Sequence, residues 1–583
     1  MKTKWIGIGI GVVFCAILCV LQIHFAYFFY FKEQLGLFLW TSTFAKEQLF
    51  QPGGLAIYVA GFIQQFYAIT GFGAAMTALL LSSVALLTSN VLAHRYSSDW
   101  NVYDCLALFP VLYLLYLHTD SSYHLAGTLS LLFCLSGWRA YQYIEKSKWR
   151  FIAAIGLICF EYIVAGSYFS LFTAGIILLE IYRRNTYCAV TTVSASLTML
   201  AIAAYVFYSD LQTELRFVFL PDYYYEPLLP ADKTHYLWII ILSTWVVAFF
   251  IRKTAIKPML SYGIGILLLT VGVWQLCHSY TELDLYKYER DYYLKHHQWE
   301  RILATFSSSK ASVQTMNVLN LALACDMQLG ERMFAYPQEG PESLFRQWDS
   351  TLEDALIFSE ICYQVGDIAS AMKFAFEGYI STPLGNPVLL QMLIKTNIIA
   401  GSYPVAEKYI SLLEKTWAYK DWASSQRMYL SDEGLEQQTE YLAKRKDWRG
   451  SGLYAMSSQV VPALKQLYLH QPKNKMALQY LTGYLLLNRN LNVFREFYNE
   501  YYGKSEWQDL STYQQEAIVA LEQSHPGRWA KMGVSMRVEQ AYAAFSQDMA
   551  DKHTYINFEE EMKKAHGSSY WYYLMFKKKG AKK

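Results

Sequence analysis

Charged side chains are scarce in the first half of this chain. Of the 50 Lys and Arg residues in 583, only 16 lie before residue 278, and 54% of all residues are hydrophobic. The net charge is +2 and no basic patch with interleaved aromatic residues occurs, which argues against a nucleic-acid partner. The uneven charge predicts a membrane domain followed by a large soluble domain.

Cysteine patterns that would indicate a metal site or a disulfide framework are also missing. Seven of the nine cysteines precede residue 278, mostly in apolar runs, where Cys behaves as a small hydrophobic residue. Cys325 and Cys362 alone lie in the soluble part, without metal-ligand spacing. The second half contains no Ser-His-Asp, P-loop or zinc motif. We therefore predict no metal-binding motif.

Long apolar runs are abundant and predict about nine membrane spans. The first, Trp5–Tyr30, follows Lys2 and Lys4 but is too long for a signal peptide and lacks a cleavage site. Leu55–Ile69 is predicted to lie in the membrane interface. The remaining spans are predicted at Phe72–Ala93, Val102–Leu117, Leu125–Tyr143, Phe151–Ala165, Tyr168–Tyr182, Cys188–Tyr208, Tyr236–Ile251 and Pro258–Cys277.

Loop charges predict the orientation of these spans. If successive loops lie on alternating sides of the membrane, eleven Lys and Arg residues lie on the side of the N-terminus and four lie on the other side. The positive-inside rule then places the N-terminus in the cytoplasm and everything after Cys277 outside, in an inner (plasma) membrane protein. The C-terminal sequence KKKGAKK is more usual on the cytoplasmic side. It therefore counts modestly against an odd number of spans, which would place the C-terminus outside.

The loop of residues 31–54 carries two carboxylates between membrane-spanning runs. Glu33 directly follows the first span, and Glu47 precedes the Pro-Gly-Gly sequence that closes the loop. A carboxylate beside hydrocarbon has a raised pKa or a partner, and either condition suits acid–base chemistry. The alternative is a short interfacial helix whose glutamates face water.

Further polar residues are predicted to face the same outer side. His118, Asp120 and His124 lie within seven residues, where imidazole and carboxylate suit a phosphate-bearing group or a divalent cation; an ordinary polar loop is the alternative. Glu161 lies inside a span, which favours a water-filled cavity or a hydrogen-bond partner. Arg216 lies in the outer loop 209–235.

The second half has the pattern of a soluble helical domain, predicted over residues 281–565, before an aromatic and basic tail at 566–583. Ala371 and Ala406 are 35 residues apart in two similar segments, close to the 34-residue period of tetratricopeptide repeats. Gly366, Phe374 and Pro383 complete the first unit. The resemblance to tetratricopeptide repeats covers about residues 300–525 and implies a concave surface that binds a protein partner.

The order of these features resembles the C superfamily of membrane glycosyltransferases (GT-C). The resemblance rests on a first span, an outer loop with carboxylates at its exit, further spans and an outer C-terminal domain. It implies transfer of sugar from a polyprenyl-phosphate carrier, with an acid of the first outer loop as the catalytic base. Glu33 is the first candidate for this base, and Glu47 is the second. The Asp-Glu pair and the Trp-Trp-Asp motif seen in such enzymes are absent. The chain also resembles uncharacterised bacterial multi-span membrane proteins with the same EQ…PGG loop.

The sequence thus predicts an all-α protein, a polytopic transmembrane helix bundle at residues 1–280 followed by the repeat-like domain. Three functions are compatible with it. The first is a lipid-linked-sugar glycosyltransferase in which Arg216 holds phosphate while Glu33 or Glu47 deprotonates the acceptor hydroxyl. The second is an envelope assembly scaffold that presents a protein-binding domain from a membrane anchor. A transporter is disfavoured, because no inverted repeat is evident.

Overall fold

A computed structural model of the chain is built from α-helices. It describes residues 4–93, 102–183, 187–209, 218–219, 233–251, 258–382, 385–448 and 454–577. Over these ranges the chain forms 30 α-helices and short 3₁₀ turns, with no β-strand. The predicted all-α class is confirmed for this part of the chain.

The chain divides into two compact units. The first comprises Met1–Thr281 together with Lys415–Ala418, and the second comprises Glu282–Glu414 and Tyr419–Lys583. We refer to them as the membrane unit and the helical unit.

The helices of the membrane unit begin and end within a few residues of most of the predicted apolar runs. They are α1 (Lys4–His24), α2 (Ala26–Glu33), α3 (Ser42–Leu49), α4 (Gly54–Gln64), α5 (Phe72–Ala93), α6 (Val102–Leu117), α7 (Leu125–Gln142), α8 (Ser147–Ala165), α9 (Tyr168–Arg183), α10 (Cys188–Ser209), α11 (Thr234–Ile251) and α12 (Pro258–His278).

Several of these helices are long and apolar enough to cross a membrane. Among the described residues, α5, α10 and Leu260–His278 of α12 meet both requirements, and α1 with α2 adds a fourth span if the pair counts as one. Helices α6 and α11 are apolar but shorter. The structure therefore supports a membrane location, while the predicted count of nine spans and their orientation remain predictions.

The first predicted span is not one continuous helix. It breaks at Phe25, and Gly9–His24 and Ala26–Glu33 are bent by 79°. Neither Pro nor Gly, the usual causes of a sharp kink, stands at the break. Phe25 is instead buried, with its ring 5.4 Å from that of Tyr280 and 6.4 Å from that of Phe28. A contact distant in sequence thus accompanies the bend.

Helix α5 lies at the centre of the membrane unit. It packs against α1, α6 and α7. Small residues make this close packing possible, and Ala74, Ala78 and Val84 are almost completely buried. Helix α7 in turn contacts α4, α8 and α9, so the two helices together connect most of the unit.

The helical unit contains eighteen described helices. They are α13 (Glu282–Lys295), α14 (Trp299–Thr305), α15 (Val313–Cys325), α16 (Leu329–Arg332), α17 (Leu352–Val365), α18 (Ile368–Ile380), α19 (Pro387–Ala400), α20 (Tyr403–Leu413), α21 (Lys420–Gln426), α22 (Asp432–Leu435), α23 (Thr439–Trp448), α24 (Val460–His470), α25 (Lys475–Leu487), α26 (Leu491–Tyr501), α27 (Thr512–Leu521), α28 (Met536–Lys552), α29 (Phe558–His566) and α30 (Tyr570–Phe576).

Helices α17 to α20 form consecutive antiparallel pairs. Gly366 and Gly401 end α17 and α19 with φ of 105° and 79°, a left-handed conformation that glycine adopts without strain. Each helix packs against the next. Ala371 and Ala406, the two alanines 35 residues apart in the sequence, are completely buried.

Residues 570–576, within the segment expected to be an aromatic and basic tail, form helix α30. Tyr570, Trp571 and Tyr573 are buried. The backbone N–H of Tyr570 donates to the side-chain oxygen Oε2 of Glu516 at 2.6 Å, and the Trp571 indole donates to the Glu516 carbonyl at 2.8 Å. Helix α30 is thereby fixed to α27.

Candidate functional site

Two charged side chains are buried where helix α2 ends. Lys32 and Glu33 are only 7% and 6% exposed. The Lys32 ammonium donates to the carbonyls of Ser121 and Tyr123 at 2.7 and 2.6 Å. Buried charge is costly unless it is hydrogen-bonded, and these bonds join the end of α2 to the loop between α6 and α7.

His118 in that loop belongs to a buried hydrogen-bond cluster. Its Nε2 lies 2.8 Å from the Thr128 hydroxyl, and the Tyr123 hydroxyl lies 3.0 Å from the same oxygen. Burial, and then the positive charge of Lys32, lowers the pKa of His118 to about 3. The imidazole is therefore neutral at physiological pH.

Asp120 and His124 make local bonds that shape the loop. The Asp120 carboxylate accepts from the backbone N–H and hydroxyl of Ser122, at 3.0 and 2.7 Å, and lies 3.8 Å from Lys233 Nζ. Burial would raise the pKa of Asp120, but the Ser122 bonds and nearby lysines outweigh it and lower the pKa. His124 Nδ1 accepts from the N–H of Ala126 at the start of α7. Burial and Lys32 lower the pKa of His124 to about 4.

The structure thus brings the end of α2 together with the predicted loop residues through Lys32. We call Lys32, Glu33, His118, Asp120 and His124 the Lys32 site. Among the described residues, no group of three or more His, Cys, Asp or Glu side chains is arranged to hold a metal ion. The site offers one ammonium, two carboxylates and two neutral imidazoles, a set suited to binding a phosphate and moving a proton.

Glu47, the second predicted base, lies on helix α3 and makes none of these contacts. Its side chain is exposed. Thr41 caps the start of helix α3, because its hydroxyl accepts from the N–H of Phe44 at 3.2 Å. An exposed glutamate on a short helix fits the alternative in which this residue faces water.

The Pro-Gly-Gly end of the loop is fixed to helix α8. The N–H of Gly53 lies 3.2 and 3.0 Å from the carbonyls of Tyr162 and Ile163. A Cβ on Gly54 would lie 2.1 Å from the carbonyl oxygen of Gln48. Glycine is therefore required at residue 54 for the loop to close on itself.

Glu161 lies deep in the membrane unit. It is 1% exposed, and its Oε2 has no hydrogen-bond partner among the described residues. A Cβ on Gly137 would lie 2.6 Å from Glu161 Oε1, so the glycine of α7 makes room for the carboxyl. Arg216 lies outside the described residues, and its predicted role stays a prediction.

A second buried charge cluster, which the sequence pattern did not indicate, lies at the other ends of α7, α8 and α9. Glu180, which is completely buried, lies 3.1 Å from Arg150 Nε and accepts from the Tyr141 hydroxyl at 3.1 Å. Arg183 lies 3.9 Å from the same carboxylate oxygen. The sequence predicts loop positions for Arg150 and Arg183, because each stands at the edge of an apolar run. Glu180, an acid near the end of its run, was the available signal.

Comparison with known proteins gives one match. A family model described as a family of unknown function (DUF6057) matches residues 1–577. No curated protein and no solved structure matches the chain.

Proposed function

The chain belongs to the DUF6057 family, whose function is unknown, and from the Lys32 site we propose that it is a membrane glycosyltransferase. In this proposal the enzyme moves a sugar from a polyprenyl-phosphate carrier to an acceptor hydroxyl at the outer membrane face. The observation that carries the proposal is the burial of Glu33 beside Lys32, where the first apolar segment ends.

Glu33 acts as the general base. Its carboxylate takes the proton of the acceptor hydroxyl while the acceptor oxygen forms a bond to the anomeric carbon of the sugar. The bond between that carbon and the carrier phosphate breaks, and the phosphate leaves with the electron pair. A carboxylate positioned within hydrogen-bond reach of the acceptor hydroxyl can take its proton as the new bond forms.

Lys32 balances the negative charge of the leaving phosphate. Its two bonds to Ser121 and Tyr123 fix the ammonium in one position before the donor binds. Fixed charges aimed at developing charge stabilise a transition state without the cost of reorganisation. In the same proposal His118, Asp120 and His124 line the donor site, Glu161 lies deeper in the unit, and Arg216 adds a second cation.

The test compares carboxylate variants of the full-length protein in lipid nanodiscs. Polyprenyl phosphate released from a panel of polyprenyl-phosphate sugars is measured for wild type, Glu33→Gln and Glu47→Gln. We expect Glu33→Gln to lower the rate about 10²- to 10⁴-fold, the usual effect of removing a general base. Glu145→Gln, which changes an exposed acid outside the site, is the matched control.

The outcomes separate the two candidate bases. Loss of activity in Glu47→Gln with normal activity in Glu33→Gln assigns the base to Glu47. Full activity in both variants, with correct folding, overturns the proposed role of this loop.

A second candidate function is an envelope scaffold. Paired helices α17 to α20, with Ala371 and Ala406 buried between them, favour a tetratricopeptide-like array that binds a protein partner. The membrane unit then serves as the anchor. A Glu33→Gln, Glu47→Gln double variant that fully complements a deletion strain, when deletion of residues 282–583 does not, favours this function over transfer.

A further inference from the structure

The membrane unit includes a four-residue segment that is distant in sequence from the rest of the unit. Lys415–Ala418 lie in the turn between α20 and α21, yet they belong to the same compact unit as the first membrane helices. The carbonyl of Lys415 accepts from the backbone N–H of Trp40 at 2.8 Å. The Trp417 ring lies 4.9 Å from the Phe66 ring. We call Lys415–Ala418 the Trp417 segment.

The surface that receives this segment is rich in aromatic rings. Trp40 is held by a second bond, in which its indole N–H donates to Gln65 Oε1 at 2.9 Å. The Trp40 ring lies 5.7 Å from the Phe62 ring, which lies 5.4 Å from that of Phe66. Trp417 thereby joins a continuous row of rings from the loop before α3, from α4 and from the turn after α4.

Several rings of this row are open to the surroundings of the protein. Trp40, Phe62 and Trp417 are 55%, 38% and 46% exposed. Clustered exposed apolar side chains mark a surface that binds either a protein or a membrane. The place of this row relative to a membrane-spanning helix decides between the two.

Helix α5 sets the depth of the row in the bilayer. Its 22 residues extend about 33 Å, close to the hydrocarbon thickness of about 30 Å. When α5 crosses the membrane, its first residue, Phe72, therefore lies at the edge of the hydrocarbon. The Phe72 ring is 5.7 Å from the Phe66 ring, which contacts Trp417. The row thus lies where the hydrocarbon meets the lipid headgroups.

The side chains of the Trp417 segment suit this depth. An indole ring is apolar but carries an N–H that can donate to an ester or phosphate oxygen, and tryptophan is enriched at membrane interfaces for this reason. Lys415, which is exposed, has an ammonium that can reach lipid phosphate from an apolar stem. The segment therefore matches a lipid headgroup in both polarity and charge.

We propose that the Trp417 segment and the rings beside it form a lipid-binding surface in the headgroup layer of the bilayer. Trp40, Phe62 and Trp417 contact the outermost methylene groups of the lipid, and the Lys415 ammonium contacts its phosphate. A turn from the second half of the chain is thereby held at the membrane surface. The proposal goes beyond the transfer reaction and uses no residue of the Lys32 site.

The test places the photoreactive residue p-benzoylphenylalanine at position 417 of the full-length protein. The protein is irradiated in nanodiscs of equal parts phosphatidylcholine and phosphatidylglycerol, and mass spectrometry identifies what becomes attached. We expect a phospholipid adduct. Position 79, where Leu79 is 51% exposed within α5, should give a similar yield. Position 376, where Phe376 of α18 has the same 46% exposure as Trp417, should give only background.

The lipid composition of the adduct gives a second readout. Lys415→Gln should lower the ratio of phosphatidylglycerol to phosphatidylcholine adducts at position 417 about fivefold, the effect of one ammonium beside anionic headgroups. Lys473→Gln, which changes an exposed lysine of the helical unit, should leave this ratio unchanged. A normal adduct at position 79 shows that each variant is folded.

Four outcomes would overturn the proposal. They are the absence of a lipid adduct at position 417, attachment to a second copy of the chain or to another protein, equal lipid yields at positions 417 and 376, and an unchanged lipid ratio in Lys415→Gln. Glu33→Gln should retain the adduct at position 417, which separates failure here from failure of the transferase proposal.

Discussion

The ammonium of Lys32 satisfies two backbone carbonyls of the loop between α6 and α7, one of them in a buried bond. In the sequence, Glu33 lies at the end of the first apolar run, where a carboxylate beside hydrocarbon is expected. The burial of its side chain agrees with that expectation. The sequence did not indicate Lys32, because Ser121 and Tyr123 are about ninety residues away. Contacts at such a distance leave no periodic pattern in a single sequence.

Replacement of this lysine tests its structural role. Lys32→Met keeps much of the apolar stem but leaves the two carbonyls without their donor. We expect the free energy of unfolding to fall by about 1–3 kcal/mol, because a buried acceptor left without a hydrogen bond costs that much. Thermal unfolding in detergent measures the effect, and Lys46→Met on exposed α3 is the control. Equal melting temperatures for the two variants would contradict the role of these bonds.

At the scale of the element, apolar runs predicted helix bounds well. Val102–Leu117 begins and ends as expected, and α7 ends one residue early. The break at Phe25 was missed, because its ring contacts with Tyr280 come from packing rather than from a local Pro or Gly. Helix α30 was missed for a related reason: its aromatic residues are buried by contacts distant in sequence, with α27, α28 and Phe334.

The docking of α30 on α27 should depend on pH through Glu516. Burial raises the pKa of Glu516 to about 8 from its usual 4.5. The folded state therefore retains a proton that the unfolded state loses, and stability falls as pH rises from about 4.5 to 8. Glu516→Gln keeps an acceptor for the Tyr570 N–H without the titration, and should flatten this dependence.

Chemical unfolding of the helical unit at several pH values between 4 and 9 measures the slope. Glu560→Gln, which changes an exposed acid on α29, should retain the wild-type slope. A Glu516→Gln protein with an unchanged slope would show that another group is responsible.

The paired helices give a second prediction at this scale. Ala371 is completely buried between α18 and its neighbours, so Ala371→Leu must displace packed atoms. We expect a loss of about 1–3 kcal/mol of unfolding free energy, the usual cost of overpacking. Ala543→Leu, on an exposed position of α28, should change stability by less than about 0.5 kcal/mol. Equal effects would contradict the packing.

At the scale of the whole molecule, composition predicted two parts, and the structure has two compact units. The boundary is visible in sequence because the density of charge changes there. The orientation of the spans in the membrane is predicted from charges in loops, and the packing of the helices does not test it.

Reporter fusions test the orientation directly. With nine spans and a cytoplasmic N-terminus, a phosphatase fused after Lys257 should be inactive and one fused after Glu300 active. A fluorescent protein that folds only in the cytoplasm should give the reverse pattern. Fusions that report the same side for both residues would refute the predicted odd number of spans. The helical unit would then lie in the cytoplasm.

The 79° bend after α1 makes helix α2 a lever. Its eight residues span about 12 Å at 1.5 Å per residue, and Glu33 lies at the far end. Because α2 stands nearly perpendicular to α1, a 10° rotation of α1 about its own axis would sweep Glu33 through about 2 Å. A straight helix of the same length would turn Glu33 almost in place. Packing against neighbouring helices sets the rotation of a spanning helix, so the packing of α1 against α5 also determines where the Glu33 carboxylate lies.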